Sequence, residues 1–81
     1  MRKLELYHRT TCPYCFKVKK FIEDNKIMNV AFKDISDSSE DYQALLKIGG
    51  KIQVPCLFID GKPMYESEDI ISWLKKNIVK I

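Results

Sequence analysis

The chain has 81 residues, 46% hydrophobic and 31% charged, with 14 basic against 11 acidic side chains for a net charge of +3. That length admits one domain, 1–81, with a single core that buries about 60–65% of the surface of the unfolded chain, and the composition excludes a disordered segment. Charges so mixed argue against nucleic acid, and no apolar run nears the ~20 residues of a membrane span. MRKLELYHR also lacks the apolar stretch of a signal peptide, so a cytoplasmic protein with no membrane partner is expected.

Residues 3–8 alternate polar and apolar and predict a strand. At Pro13 the period changes to that of a helix. Cys15, Val18 and Ile22, with Tyr14 and Phe21 beside them, fall on one face, while Lys17, Lys20, Glu23 and Asp24 face water. Thr11 is the expected N-cap and Pro13 suits the first turn, so Cys12 stands at a helix N-terminus. Residues 29–34 predict a second strand, with Val30, Phe32 and Ile35 turned inward. Ser38 caps a second helix that carries Leu45, Leu46 and Ile48 and ends at Gly49-Gly50. Two short strands, about 55–59 and 63–66, meet at the turn Asp60-Gly61. A last helix from Ser67 carries Glu68 and Asp69 in its first turn, buries Ile70, Ile71, Leu74 and Ile78 with Trp73 on the flank, and ends among Lys75, Lys76 and Lys80.

The order βαβαββα predicts an α/β fold. The first strand-helix-strand unit makes a parallel crossover, and the 55–66 hairpin joins the same four-stranded mixed sheet, which carries three helices. Ligands of such sheets bind at the carboxyl ends of the strands, where the segment Cys12-Pro13-Tyr14-Cys15 lies.

A cysteine becomes a nucleophile only as the thiolate, and a helix N-terminus favours that charge. Arg9 adds a positive charge three residues upstream. Cys12 gains most from both; Cys15, one turn deeper, is placed to attack a mixed disulfide on Cys12 and resolve it. Two other readings stand beside this one. Cys12, Cys15, Cys56 and His8 supply the count of a zinc site but lack a second close-spaced pair, and a structural disulfide closing so short a loop removes little chain entropy. His8, Cys56, Phe32, Phe58 and Trp73 are simplest as packing residues, and Lys17, Lys19 and Lys20 as a solvated face.

Three segments in order carry a family resemblance. Arg9-Thr10-Thr11-Cys12-Pro13-Tyr14-Cys15 resembles the active site of dithiol glutaredoxins, Val54-Pro55 resembles the Val-cisPro of that family, and residues 66–70 resemble the start of its last helix. In this third segment the usual Gly-Gly-Cys-Asp-Asp is replaced by Tyr65-Glu66-Ser67, which is similar to the Glu-Ser signature of glutathione-transferase N-terminal domains; the helical second domain of a transferase is not expected after Ile81. The resemblance implies a thioredoxin-like fold and a glutathione-dependent thiol-disulfide oxidoreductase, with Cys12 attacking and Cys15 resolving. It also implies a glutathione groove. Arg9 and Lys51 would meet the glycine carboxylate, with Thr11 and Tyr14 alongside. Val54, before a cis Pro55, would pair with the cysteinyl backbone. Ser67 would take the γ-glutamyl carboxylate, and Glu66 or Glu68 the ammonium. Glutathione is then co-substrate, disulfide-containing or glutathionylated proteins are partners, glutathione reductase acts indirectly, and a monomer without metal is expected. Two alternatives stay open: a module binding an iron-sulfur cluster, and an electron donor dependent on thioredoxin reductase.

Overall fold

A computed structural model describes residues 3–79. β1 (Leu4–His8) runs into α1 (Pro13–Asp24), β2 (Val30–Asp34), α2 (Ser39–Ala44), the hairpin β3 (Cys56–Ile59) and β4 (Lys62–Tyr65), and α3 (Ser67–Leu74). The four strands form one mixed sheet in the order β2-β1-β3-β4. β1 is parallel to β2 and antiparallel to β3, and β3 is antiparallel to β4. The predicted βαβαββα order and the thioredoxin-like architecture are therefore present.

Successive side chains of a strand point to opposite faces, so the sheet divides the expected single core in two. On one face Leu4, Leu6 and Leu57 pack against Val18 and Ile22 of α1 and Ile70, Ile71 and Leu74 of α3. On the other, Tyr7, Cys56 and Phe58 pack against Ile35 and Leu45, on the side of α2. The central strands β1 and β3 thus feed both clusters, and burying one of their leucines stabilises the fold by about 1.5–3 kcal/mol. Trp73 packs half-buried at the margin of the first cluster.

Local signals account for most boundaries. The Ser38 hydroxyl accepts the Asp41 amide at 3.2 Å and caps α2 as expected. Asp60 and Gly61, with φ of 51° and 86°, make the tight turn of the hairpin. Gly50 ends the second helical segment at φ 82°.

Three expectations are corrected, and one apolar pair lies outside the core. Cys12, not Thr11, caps α1: its sulfur accepts the Cys15 amide at 3.4 Å. Phe32 is 45% exposed rather than core, because β2 is an edge strand, and its ring meets His8 and Lys19 instead. Leu46 and Ile48 are exposed as well. Beyond Ala44 the helix widens into a π-helical turn over Leu45–Gly49, and the extra residue per turn carries side chains spaced for a 3.6-residue period away from the sheet. Tyr14, expected beside the buried face of α1, is 64% exposed. A second π-helical turn, Lys75–Val79, follows α3; the expected contribution of Lys80 lies outside the described residues.

Candidate active site

The reactive loop leaves the carboxyl end of β1 and enters α1 at Pro13, whose ring occupies a position where an amide would have no helical partner. Cys12 precedes it with an extended backbone, φ −90° and ψ 115°. Its sulfur therefore lies over the open end of the helix, accepting the Cys15 amide, while the thiol donates to the Val54 carbonyl at 3.9 Å. The Cys15 amide points at this sulfur from the N-terminus of α1, the placement expected of a nucleophilic thiol.

Cys12 is half-buried and Cys15 is fully buried. Burial is the largest influence on the Cys15 thiol. A hydrogen bond with the Arg9 backbone opposes it, and the hydrogen bond with Cys12 and its charge add to it; the thiol is pushed up to about 12. One thiol can be reached from outside and the other is a protonated reserve beneath it. Cys56 is buried on the opposite face of the sheet, its thiol pushed up to about 11 chiefly by burial, and it serves as packing. His8 shares the face of Leu4 and Leu6, so the donors of the zinc alternative do not converge, and no metal-binding group is found among the described residues.

Beside Cys12 lies a groove of about 410 Å³, within the range of small-ligand sites. Tyr14 forms one wall and Val54 and Pro55, joined by a cis peptide bond, form another. The third wall is the start of α3: Glu66, Ser67 and Glu68. Glu66 occupies the cap position of α3 with φ 73° and makes no side-chain cap. A positive φ on such a residue costs about 1–3 kcal/mol and is held only where the surroundings impose it. The consequence is an uncapped helix N-terminus facing the groove, its first amide hydrogens free of partners within the helix. Ser67 is buried against this end, at 8% exposure.

Six of the nine expected binding residues thus line one groove. Arg9, Thr11 and Lys51 do not. Arg9 and Thr11 are exposed on the reactive loop; the Arg9 carbonyl accepts the Cys12 amide at 3.3 Å. Lys51 turns its ammonium over the Tyr65 ring, 4.5 Å from the centroid, and its carbonyl accepts the Tyr65 hydroxyl at 3.4 Å. Two further residues shape the site. Gln53 lines the groove and donates to the Glu66 carboxylate at 3.3 Å, and Lys17 of α1 pairs with Glu68 of α3. The position of Gln53 directly before Val54-Pro55 was its one signal; Lys17 carries none, since its partner is 51 residues away.

The family profile described as glutaredoxin matches residues 4–64. Glutaredoxin-C6 of Oryza sativa subsp. japonica is 35% identical over 72 residues, covering 83% of this chain and 62% of its own length. Among solved structures, a variant of the thioredoxin-like protein BC3987 superposes over the whole of both chains with a TM-score of 0.82 at 25% identity. The glutathione transferase Omega 3C of Trametes versicolor gives 0.81 at 26% identity over 96% of this chain and 34% of its own. A buckwheat glutaredoxin-glutathione complex gives 0.68 at 26% identity, covering 98% and 72%. The match over most of the chain, on a fold that carries a two-cysteine helix N-terminus, shows that the protein belongs to the glutaredoxin family, thiol-disulfide oxidoreductases of the thioredoxin-like superfamily.

Proposed function

We propose that the protein reduces glutathione mixed disulfides and protein disulfides through the Cys12–Cys15 dithiol, with glutathione as its electron source. The observation that carries this reading is the groove running from Cys12 between Val54-Pro55 and the uncapped start of α3. Glutathione is an extended anion with a zwitterionic head. Its cysteinyl sulfur belongs next to Cys12, its backbone along Val54, and its γ-glutamyl carboxylate at the Ser67 end of α3, where amide hydrogens and the helix dipole attract an anion. Glu66 is the preferred acceptor for the ammonium: its partner is the neutral amide of Gln53, whereas Glu68 is already paired with a cation. The glutathione complex of the buckwheat relative supports the same class of ligand.

In the proposed cycle the Cys12 thiolate attacks a glutathionylated substrate at the glutathione sulfur, and the substrate leaves as a thiolate. A second glutathione then attacks the mixed disulfide, releasing oxidised glutathione and regenerating Cys12. For protein disulfides Cys15 resolves the mixed disulfide instead, giving a Cys12–Cys15 disulfide that two glutathiones reduce. Glutaredoxin potentials of about −200 to −230 mV lie near the cytosolic glutathione poise, so the reaction is reversible. A coupled assay tests the electron source. NADPH consumption should be sustained by glutathione and glutathione reductase, and not by thioredoxin reductase alone; the reverse result would assign the protein to a thioredoxin-type chain.

A further inference from the structure

Gln53 enters the groove from the loop before β3, and the cycle above gives it no task. It stands directly before Val54 and is half-buried. The end of β4 grips the loop that carries it. The Tyr65 hydroxyl donates to the Lys51 carbonyl at 3.4 Å, and the Lys51 ammonium lies 4.5 Å from the centroid of the Tyr65 ring. A Cβ at Gly49 would collide with that hydroxyl, so its close approach to the chain needs a glycine there. One residue beyond Tyr65, the Glu66 carboxylate accepts the Gln53 amide at 3.3 Å. Two consecutive residues of one segment thus hold Lys51 and Gln53 of the other.

Glu66 is a side chain that needs holding. It is exposed, its φ of 73° lies where residues with a Cβ are uncommon, and it makes no cap of the helix that follows. A free glutamate has much rotamer freedom, and a ligand that must freeze it loses part of its binding energy in doing so. Among the described residues, Gln53 is the one side-chain hydrogen-bond partner of Glu66. A carboxylate only accepts, so it is the amide nitrogen of Gln53 that faces it. The bond engages Oε1 and leaves Oε2 and the negative charge to an incoming group. Glu68, the other carboxylate of the groove, is held by the Lys17 ammonium instead. A cationic holder competes with a cationic ligand; a neutral one fixes the carboxylate without competing.

We propose that Gln53 is a positioning residue that holds the Glu66 carboxylate at the groove, so that the site selects for the ammonium of the γ-glutamyl head. The inference rests on the glutathione reading above and adds a source of selectivity to it. A thiol with the same sulfur and carboxylates but no ammonium gains nothing from a held Glu66. No bond is made or broken at Gln53, so its contribution belongs to binding and not to the exchange at Cys12.

The test compares one peptide in two mixed disulfides: with glutathione, and with glutaryl-cysteinylglycine, which is glutathione without its amino group. Single-turnover release of the peptide thiol by the reduced protein, followed against substrate concentration, gives a half-saturating concentration and a limiting rate for each. Gln53→Leu and Gln53→Met both remove the donor, so loss of folding in one does not end the test. We expect either to raise the half-saturating concentration of the glutathione disulfide about three- to tenfold. That of the analogue should stay within about twofold and both limiting rates within about threefold. In a Glu66→Ala background, adding Gln53→Leu should change the glutathione disulfide by less than about twofold, because residues that act through one another are not additive. Unchanged binding, equal weakening of both disulfides, or a further loss on top of Glu66→Ala overturns the role of Gln53 alone. A parent protein that binds the two disulfides equally overturns the placing of the ammonium at Glu66, and this inference with it. A parent that releases peptide from neither overturns the glutathione reading itself.

Discussion

The two helix N-termini that frame the groove solve the same electrostatic problem in opposite ways. Every α-helix begins with amide hydrogens that lack partners and a partial positive charge. At α1 the chain supplies its own acceptor, the Cys12 sulfur, which takes the Cys15 amide. At α3 the residue in the cap position, Glu66, makes no side-chain cap, and its φ of 73° turns the chain so that Ser67 begins the helix at the groove. One end keeps its positive field for a covalent nucleophile. The other leaves it open, at the place proposed above for an anion that arrives with the substrate. One helix end in this site is thus filled by a reactive group of the chain itself, and the other has no side-chain cap of its own.

The difference predicts different failures. Replacing the α1 acceptor, Cys12→Ser, retains an N-cap of good capping type and so should leave the helix folded while disulfide turnover falls to background. Cys15→Ser should spare deglutathionylation and weaken protein-disulfide reduction, because only the resolving step is lost. Assays of both variants on a glutathionylated peptide and on insulin disulfides separate the two cysteines; retained turnover in Cys12→Ser would sink the assignment. At α3, Ser67→Ala removes a hydroxyl from the proposed carboxylate site. A hydrogen bond to a charged group contributes about 1.5–3 kcal/mol, so KM for glutathione should rise roughly 10- to 100-fold with kcat much less affected. A fall in kcat at unchanged KM would mean that this end acts on the chemistry rather than on binding.

The α1 end was legible because its parts are contiguous: Pro13 marks the first turn, and the Cys-x-x-Cys spacing fixes which thiol is outside and which is beneath. The cap itself was misread, since thiols are weak acceptors and Thr11 has the better capping side chain. The α3 end was legible through Ser67, but its geometry was not, because nothing in Glu66 signals a positive φ. Phe32 was misassigned to the core, and Leu46 and Ile48 lie outside it, for reasons beyond any local pattern. The burial of Phe32 depends on which strand ends the sheet, and that of Leu46 and Ile48 on a π-helical turn that changes the period. Gln53 and Lys17 join the site only through partners distant in sequence.

Burial of Cys15 at the first turn of α1 also has a signature in alkaline stability. Its ordinary value is 9.0 and its value in the fold is about 12. Between the two, the unfolded chain has lost the proton and the folded chain keeps it, so stability is fully present below pH 9 and declines as the pH rises above it. The slope is at most about 1.4 kcal/mol per pH unit for this thiol. Cys56, at about 11, adds to the decline in the lower part of that window. Urea midpoints measured under reducing conditions from pH 8 to 10.5 should therefore fall less steeply for Cys15→Ala than for the parent. Parallel slopes would show that the Cys15 thiol ionises as readily in the fold as in the unfolded chain.

The smallest expected effect lies where the two helix ends are tied together. Lys17 on α1 pairs with Glu68 on α3, both exposed, with side-chain exposures of 51% and 73%. Such surface pairs contribute about 0–1 kcal/mol, and salt screens them, so Lys17→Ala should shift the urea midpoint little. Its value lies in what it does to binding. If Glu66 receives the glutathione ammonium, removing Lys17 frees a carboxylate that the ligand does not use, and KM for glutathione should stay within about twofold. If Glu68 is the acceptor, losing its competing cation exposes a full negative charge to the ammonium, and KM should fall by more than about fivefold, the equivalent of about 1 kcal/mol. We expect the first outcome, because Gln53 holds the Glu66 carboxylate at the groove without neutralising it.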